Sequence, residues 1–103
     1  MKLPSGNEVE VLRLLAGGRE LYGLEMIKRS KGVLKRGSIY VVLGRMEDQG
    51  FIKGREVKEK GAPGMPRRVY RITGLGQRAL AAREAAQSAW DAAPMNGLKP
   101  AGA

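Results

Sequence analysis

The side chains with chemistry to offer in this sequence are cations, and they fall in two clusters. Lys28, Arg29, Lys31, Lys35 and Arg36 surround Gly32 and lead to Gly37. Lys58 and Lys60 enter, and Arg67 and Arg68 leave, a stretch rich in glycine and proline at residues 58–66. Ammonium and guanidinium groups beside a turn donate charge-assisted hydrogen bonds, and phosphate oxygens are the acceptors that suit them. Their distribution is as telling as their kind. Residues 28–71 hold 13 Lys or Arg against 4 Asp or Glu, while the remainder of the chain holds 6 of each sign. The formal charge of the 103 residues, +9 at pH 7, therefore sits in the middle of the chain. A solubilising surface spreads its charge, whereas a face that binds a polyanion concentrates it.

What the chain lacks narrows the chemistry further. Histidine and cysteine are absent, which removes disulfides, thiolate nucleophiles, zinc-finger ligation and every histidine-based triad. No paired carboxylates and no Ser–Lys constellation stand out for acid–base or nucleophilic work. The glycines at residues 32–37 and 61–64 are not phosphate loops, since neither run continues as Gly-Lys-Ser/Thr after a strand. Catalysis, a metal and a cofactor are all unexpected. At 43% hydrophobic, the chain is too apolar for a disordered basic tail and suits one small domain. No apolar run approaches the roughly 18 residues a membrane span needs, and Met1-Lys2-Leu3-Pro4-Ser5-Gly6 has no apolar leader segment. The expectation is a cytoplasmic protein without membrane contact.

The elements that must position the cations follow from periodicity and punctuation. Ser5-Gly6-Asn7-Glu8 has the spacing of a capping box, and Val9, Leu12, Leu15 and Ala16 recur at helical intervals until Gly17-Gly18. A first helix over 6–16 follows. A second is expected over 20–30, with Leu24 and Ile27 on its apolar face beside Leu21 and Met26, and with Gly23 allowing close packing. Ser38 is placed to cap a third helix, in which Ile39, Val42, Leu43 and Met46 fall at i, i+3, i+4 and i+7 before Gln49-Gly50. Its opposite side carries Val41, Gly44, Arg45 and Asp48, with Tyr40 on the flank. Gly44 leaves a gap there, either for tight helix packing or for the approach of another surface.

Residues 51–57 then read as a strand and 67–73 as its partner, a hairpin whose tip is the basic loop between them. Thr73 can cap a last helix in which Leu75, Ala79, Ala82, Ala86, Ala89 and Ala93 recur at alternating steps of four and three. That narrow seam, with Leu80 and Trp90 as the bulky exceptions, is suited to a second copy of the chain or to folding back on the first helix. Residues 94–103 read as a disordered tail.

Helix, helix, helix, hairpin, helix is the order of a winged helix-turn-helix domain: mainly α with a small β-hairpin, followed by a C-terminal dimerisation helix. The expected units are 5–73 for the DNA-binding domain, 74–93 for the dimerisation helix and 94–103 for the tail. In such a domain the third helix enters the DNA major groove and the hairpin wing touches phosphates or the minor groove. The net positive segment covers the turn, the third helix and the wing.

Two motifs also carry a resemblance. Leu21-Tyr22-Gly23-Leu24-Glu25-Met26 precedes Gly37-Ser38-Ile39-Tyr40-Val41-Val42-Leu43-Gly44-Arg45-Met46-Glu47-Asp48-Gln49-Gly50-Phe51-Ile52. Pro66-Arg67-Arg68-Val69-Tyr70-Arg71-Ile72-Thr73-Gly74-Leu75-Gly76 follows. Over roughly residues 8–80 the chain resembles the PadR-like transcriptional regulators, and the pairing of both motifs at this separation is what makes the likeness specific. The resemblance implies a dimeric repressor of double-stranded DNA on a palindromic operator. It places Ser38, Tyr40 and Arg45 on the recognition helix, and Arg67 and Arg68 on the wing.

Ser38 and Tyr40 are then candidates for positioning on phosphates, and Val41 for a thymine methyl. Arg45 suits either guanine or phosphate, and Lys35, Arg36, Lys58, Lys60, Arg67 and Arg68 suit the backbone. Some relatives bind aromatic effectors at the dimer interface, which makes Trp90 a candidate stacking partner, although packing is the commoner role of a lone tryptophan. The competing reading is a winged helix that binds RNA or a protein partner, without catalysis.

Overall fold

The computed structural model of the chain describes residues 3–58 and 67–93. The expected hairpin tip with Lys60, and the expected tail at 94–103, lie outside these residues. Glu8 opens the first helix as its spacing predicts, its carboxylate accepting the Ser5 backbone N–H at 2.8 Å. Helix α1 runs Gly6–Leu15, and Val9, Leu12 and Leu15 are buried together with Val11. Gly17 and Gly18 end it at φ +88° and +85°, a left-handed backbone that side chains resist.

The next segment departs from the helix expected over 20–30. Leu21–Tyr22 forms a short strand, β1, and helix α2 begins only at Gly23, running Gly23–Arg29. Pairing at long range overrides the local helical pattern, because Leu21 and Tyr22 are antiparallel partners of Tyr70 and Val69. The late start sets which side of α2 faces inward. Met26 is fully buried and Ser30 nearly so, whereas Leu24, expected on the apolar face, is 49% exposed. Ser30 also closes the following turn: its Oγ donates to the Ile27 carbonyl at 2.8 Å and accepts the Leu34 N–H at 3.0 Å. Leu34 is buried beneath that turn, while Lys31, Lys35 and Arg36 stay outside.

Helix α3 spans Ile39–Asp48 and buries the expected stripe of Ile39, Val42, Leu43 and Met46. Ser38 holds the N-cap position, but its side chain makes no capping hydrogen bond. At φ −126° and ψ −12° its backbone lacks the extended geometry that aims a cap hydroxyl at the first free amides. Among the described residues nothing lies within 4 Å of where a Cβ on Gly44 would stand, so none of them packs into the gap there.

Strands β2 (Ile52–Val57) and β3 (Arg67–Ile72) pair antiparallel from Ile52↔Ile72 to Val57↔Arg67. The expected two-stranded hairpin is two thirds of a larger sheet, ordered β1-β3-β2, with β3 in the centre. Thr73 caps helix α4 (Gly74–Ala92): its Oγ1 accepts the Gly76 N–H at 3.0 Å and donates to the Gly50 carbonyl at 2.6 Å. One hydroxyl thus ties the start of the last helix to the chain just beyond α3.

The first half of α4 packs on α1. Ala79 is fully buried, Leu80 nearly so and Leu75 half-buried, and Arg13 Nε meets Glu84 Oε2 at 3.3 Å. Ala79 is therefore a core residue of this chain, not part of an outer seam, and Leu75 packs against the same core. Ala82, Ala86, Ala89 and Trp90 remain exposed.

Candidate nucleic-acid interface

Because the apolar stripe of α3 turns inward, the residues between its members must turn out. Tyr40 is 55% and Val41 62% exposed, and Gly44, Arg45 and Asp48 are exposed beside them. With its side chains an α-helix is a rod about 10–12 Å across, and a major groove about 12 Å wide admits it.

A cleft of about 690 Å³ lies between α2, the start of α3 and strand β3. Tyr22, Tyr40 and Tyr70, every tyrosine of the chain, line it together with Arg36, Arg67 and Arg68. The Tyr40 ring lies against Gly23, 3.0 Å from where a Cβ would stand, so the missing side chain is what lets the ring lie so close to α2. The Arg67 guanidinium rests 5.4 Å from the centre of the Tyr22 ring, and that of Arg68 lies 5.9 Å from Tyr70.

Arg68 is further engaged by a carboxylate. Its Nη2 meets Glu47 Oε2 at 2.7 Å and its Nε meets Oε1 at 3.4 Å. That hydrogen bond, with the attraction of the same carboxylate, raises the pKa of Arg68. Burial, and then the nearby Glu47 charge, raise that of Tyr70, so its hydroxyl stays a hydrogen-bond donor. Across the sheet, Arg55 of β2 grips Glu20, just before β1, through two hydrogen bonds of 2.7 and 2.8 Å. Leu24, Ile27 and the Glu25 carboxylate share the lining, so the cleft sets aromatic and aliphatic faces beside the cations Lys28, Arg36 and Arg67.

Of the residues singled out in the sequence, Arg36, Tyr40, Arg67 and Arg68 come together around this cleft. Val41 and Arg45 stand on the outer face of α3, and Lys35 and Lys58 are exposed outside the cleft lining. Ser38 is half-buried at the start of α3. Trp90 is 66% exposed, on the far half of α4. Tyr22, Tyr70 and Glu47 were not singled out. The signal available for Glu47 was its place seven residues after Tyr40, as one of the few acids in a basic segment.

The transcriptional regulator PadR-like family matches residues 11–82.

The chain belongs to the PadR-like family.

No curated protein matches the chain. Among solved structures, it is similar to a PadR-family transcriptional regulator from Eggerthella lenta, at 25% identity over 82% of this chain and 73% of that one, TM-score 0.69. A PadR-family transcription regulator from Clostridium difficile shares the fold at TM-score 0.69 and 24% identity, over 82% and 88% of the two chains. Bacillus subtilis PadR in complex with operator DNA aligns at TM-score 0.67 and 25% identity, over 75% of this chain and 45% of that chain. The helices and three-stranded sheet are thus the winged-helix fold of PadR-like proteins. No described helix is long and apolar enough to cross a membrane.

Proposed function

We propose that this PadR-like chain is a cytoplasmic, sequence-specific regulator of transcription that binds double-stranded DNA as a homodimer, acts as a repressor and has no catalytic activity. The observation that carries the reading is the outward face of α3, where Tyr40, Val41 and Arg45 stand exposed on a rod of groove dimensions with Arg36 and Arg67 beside it. The operator complex of Bacillus subtilis PadR supports it by likeness of fold. In this reading α3 enters the major groove, with Arg45 and Val41 nearest the bases. Ser38, Tyr40, Lys35, Arg36, Lys58, Lys60 and Arg67 meet the backbone. A helix end of Ala82, Ala86, Ala89 and Trp90, exposed among the described residues, is assigned to the partner protomer, with Trp90 packing in that seam.

Selection of bound duplexes from a random pool tests binding, symmetry and spacing together. The expected result is a two-fold symmetric site whose affinity falls steeply with salt, since several cations displace counterions. Structured RNA bound at low salt while no duplex DNA binds would sink the reading.

A further inference from the structure

The contact between Arg68 and Glu47 joins the wing strand β3 to helix α3 by side chains alone, away from the backbone joint at Gly50–Phe51. Arg68 is the second residue of β3, toward the loop end of the wing, and Glu47 lies in the last turn of α3. Both ends of the guanidinium fork meet the carboxylate, at 2.7 and 3.4 Å, and a two-point contact fixes an angle as well as a distance. The pair is partly shielded, with side-chain exposures of 42% for Arg68 and 26% for Glu47. On its other side Arg68 lies over the Tyr70 ring. Below it is Gly54 of β2, where a Cβ would come within 2.7 Å of Arg68 Nε and 3.0 Å of its Cζ. Ring, glycine and carboxylate together define one seat for this side chain.

Electrostatics make the carboxylate costly in that place. A negative group beside a face that meets phosphates repels them, and by occupying Arg68 it also withdraws a cation from them. We propose that Glu47 is a positioning residue of the DNA interface: through Arg68 it sets the angle between wing and recognition helix, which decides how α3 sits against the base edges. Arg68 then serves geometry, and its neighbour Arg67 serves the phosphates. This inference rests on the DNA-binding reading above.

The test uses the whole chain and two duplexes, the one selected from the random pool and one of scrambled sequence, with affinities read by fluorescence anisotropy. Glu47→Gln should lower the selected-to-scrambled affinity ratio about threefold to tenfold, although it removes a repelling charge. Gly54→Ala should do the same with no change of charge, because its methyl group displaces only the flexible end of Arg68 and leaves the fold standing. Glu10→Gln, on α1 and outside both the contact and the outer face of α3, removes the same charge and should keep the ratio. A wild-type ratio in either Glu47→Gln or Gly54→Ala overturns the proposal while the DNA reading stands. A wild-type chain that binds neither duplex overturns both.

Discussion

At the scale of single residues, two neighbouring arginines on one strand have different work. Arg67 rests its guanidinium on the face of Tyr22, a contact that leaves the N–H edge free for an acceptor. Arg68 has its edge taken by Glu47. Arg67→Ala should therefore weaken selected and scrambled duplexes alike and lower the slope of log affinity against log salt by about one, measured by titration between low and moderate salt. A loss confined to the selected duplex would make Arg67 a reader of bases. The Arg55–Glu20 pair carries a pH signature. Its hydrogen bond holds the Glu20 carboxyl below the usual range, so whatever it contributes to folding is present above the ordinary carboxylate pKa and is lost as pH falls through the lowered one. Thermal melts of Glu20→Gln and wild type should differ near neutrality and converge in acid.

At the scale of elements, the joint between α3 and α4 is the tightest point. A Cβ on Gly76 would collide with the Phe51 carbonyl oxygen and come within 2.9 Å of Ile72 Cγ1. Backbone cannot move aside there, because Thr73 ties the same segment to Gly50. Gly76→Ala should cost about 3 kcal/mol in urea unfolding, against a change well under that for Gly74→Ala, where the space is open. The same contrast explains what was legible beforehand. Ile39, Val42, Leu43 and Met46 announce their helix because burial on one side repeats with the helical period, and Thr73 announces its cap by chemistry. Leu21 and Tyr22 do not announce a strand. Two residues show no period, and their partners Tyr70 and Val69 lie far along the chain. The seat of Arg68 was hidden for the same reason: Glu47, Gly54 and Tyr70 come from three elements, and only the folded sheet brings them to one side chain. The cations of the interface were legible because charge density needs no tertiary contact to be seen.

At the scale of the whole molecule, α4 is half spent. Its beginning closes the core of its own chain through Ala79 and Leu80, and its end presents Ala82, Ala86, Ala89 and Trp90 outward. Ala86→Glu should therefore weaken self-association about tenfold or more by sedimentation without lowering the melting temperature of the monomer, because the new carboxylate meets a partner and not the core. If two protomers face each other across that helix, the half-sites they occupy should lie roughly 34 Å apart, or a multiple of it. The central position of β3 has a kinetic counterpart. An edge strand can fray by releasing one neighbour, but β3 is bonded to β1 before α2 and to β2 after α3, and must release both. Its amides should be among the last in the domain to exchange with deuterium, and the base of the wing should open only with global unfolding. The wing is thus rooted in the same cooperative unit as the helices, and pulling on it mechanically would load the whole domain.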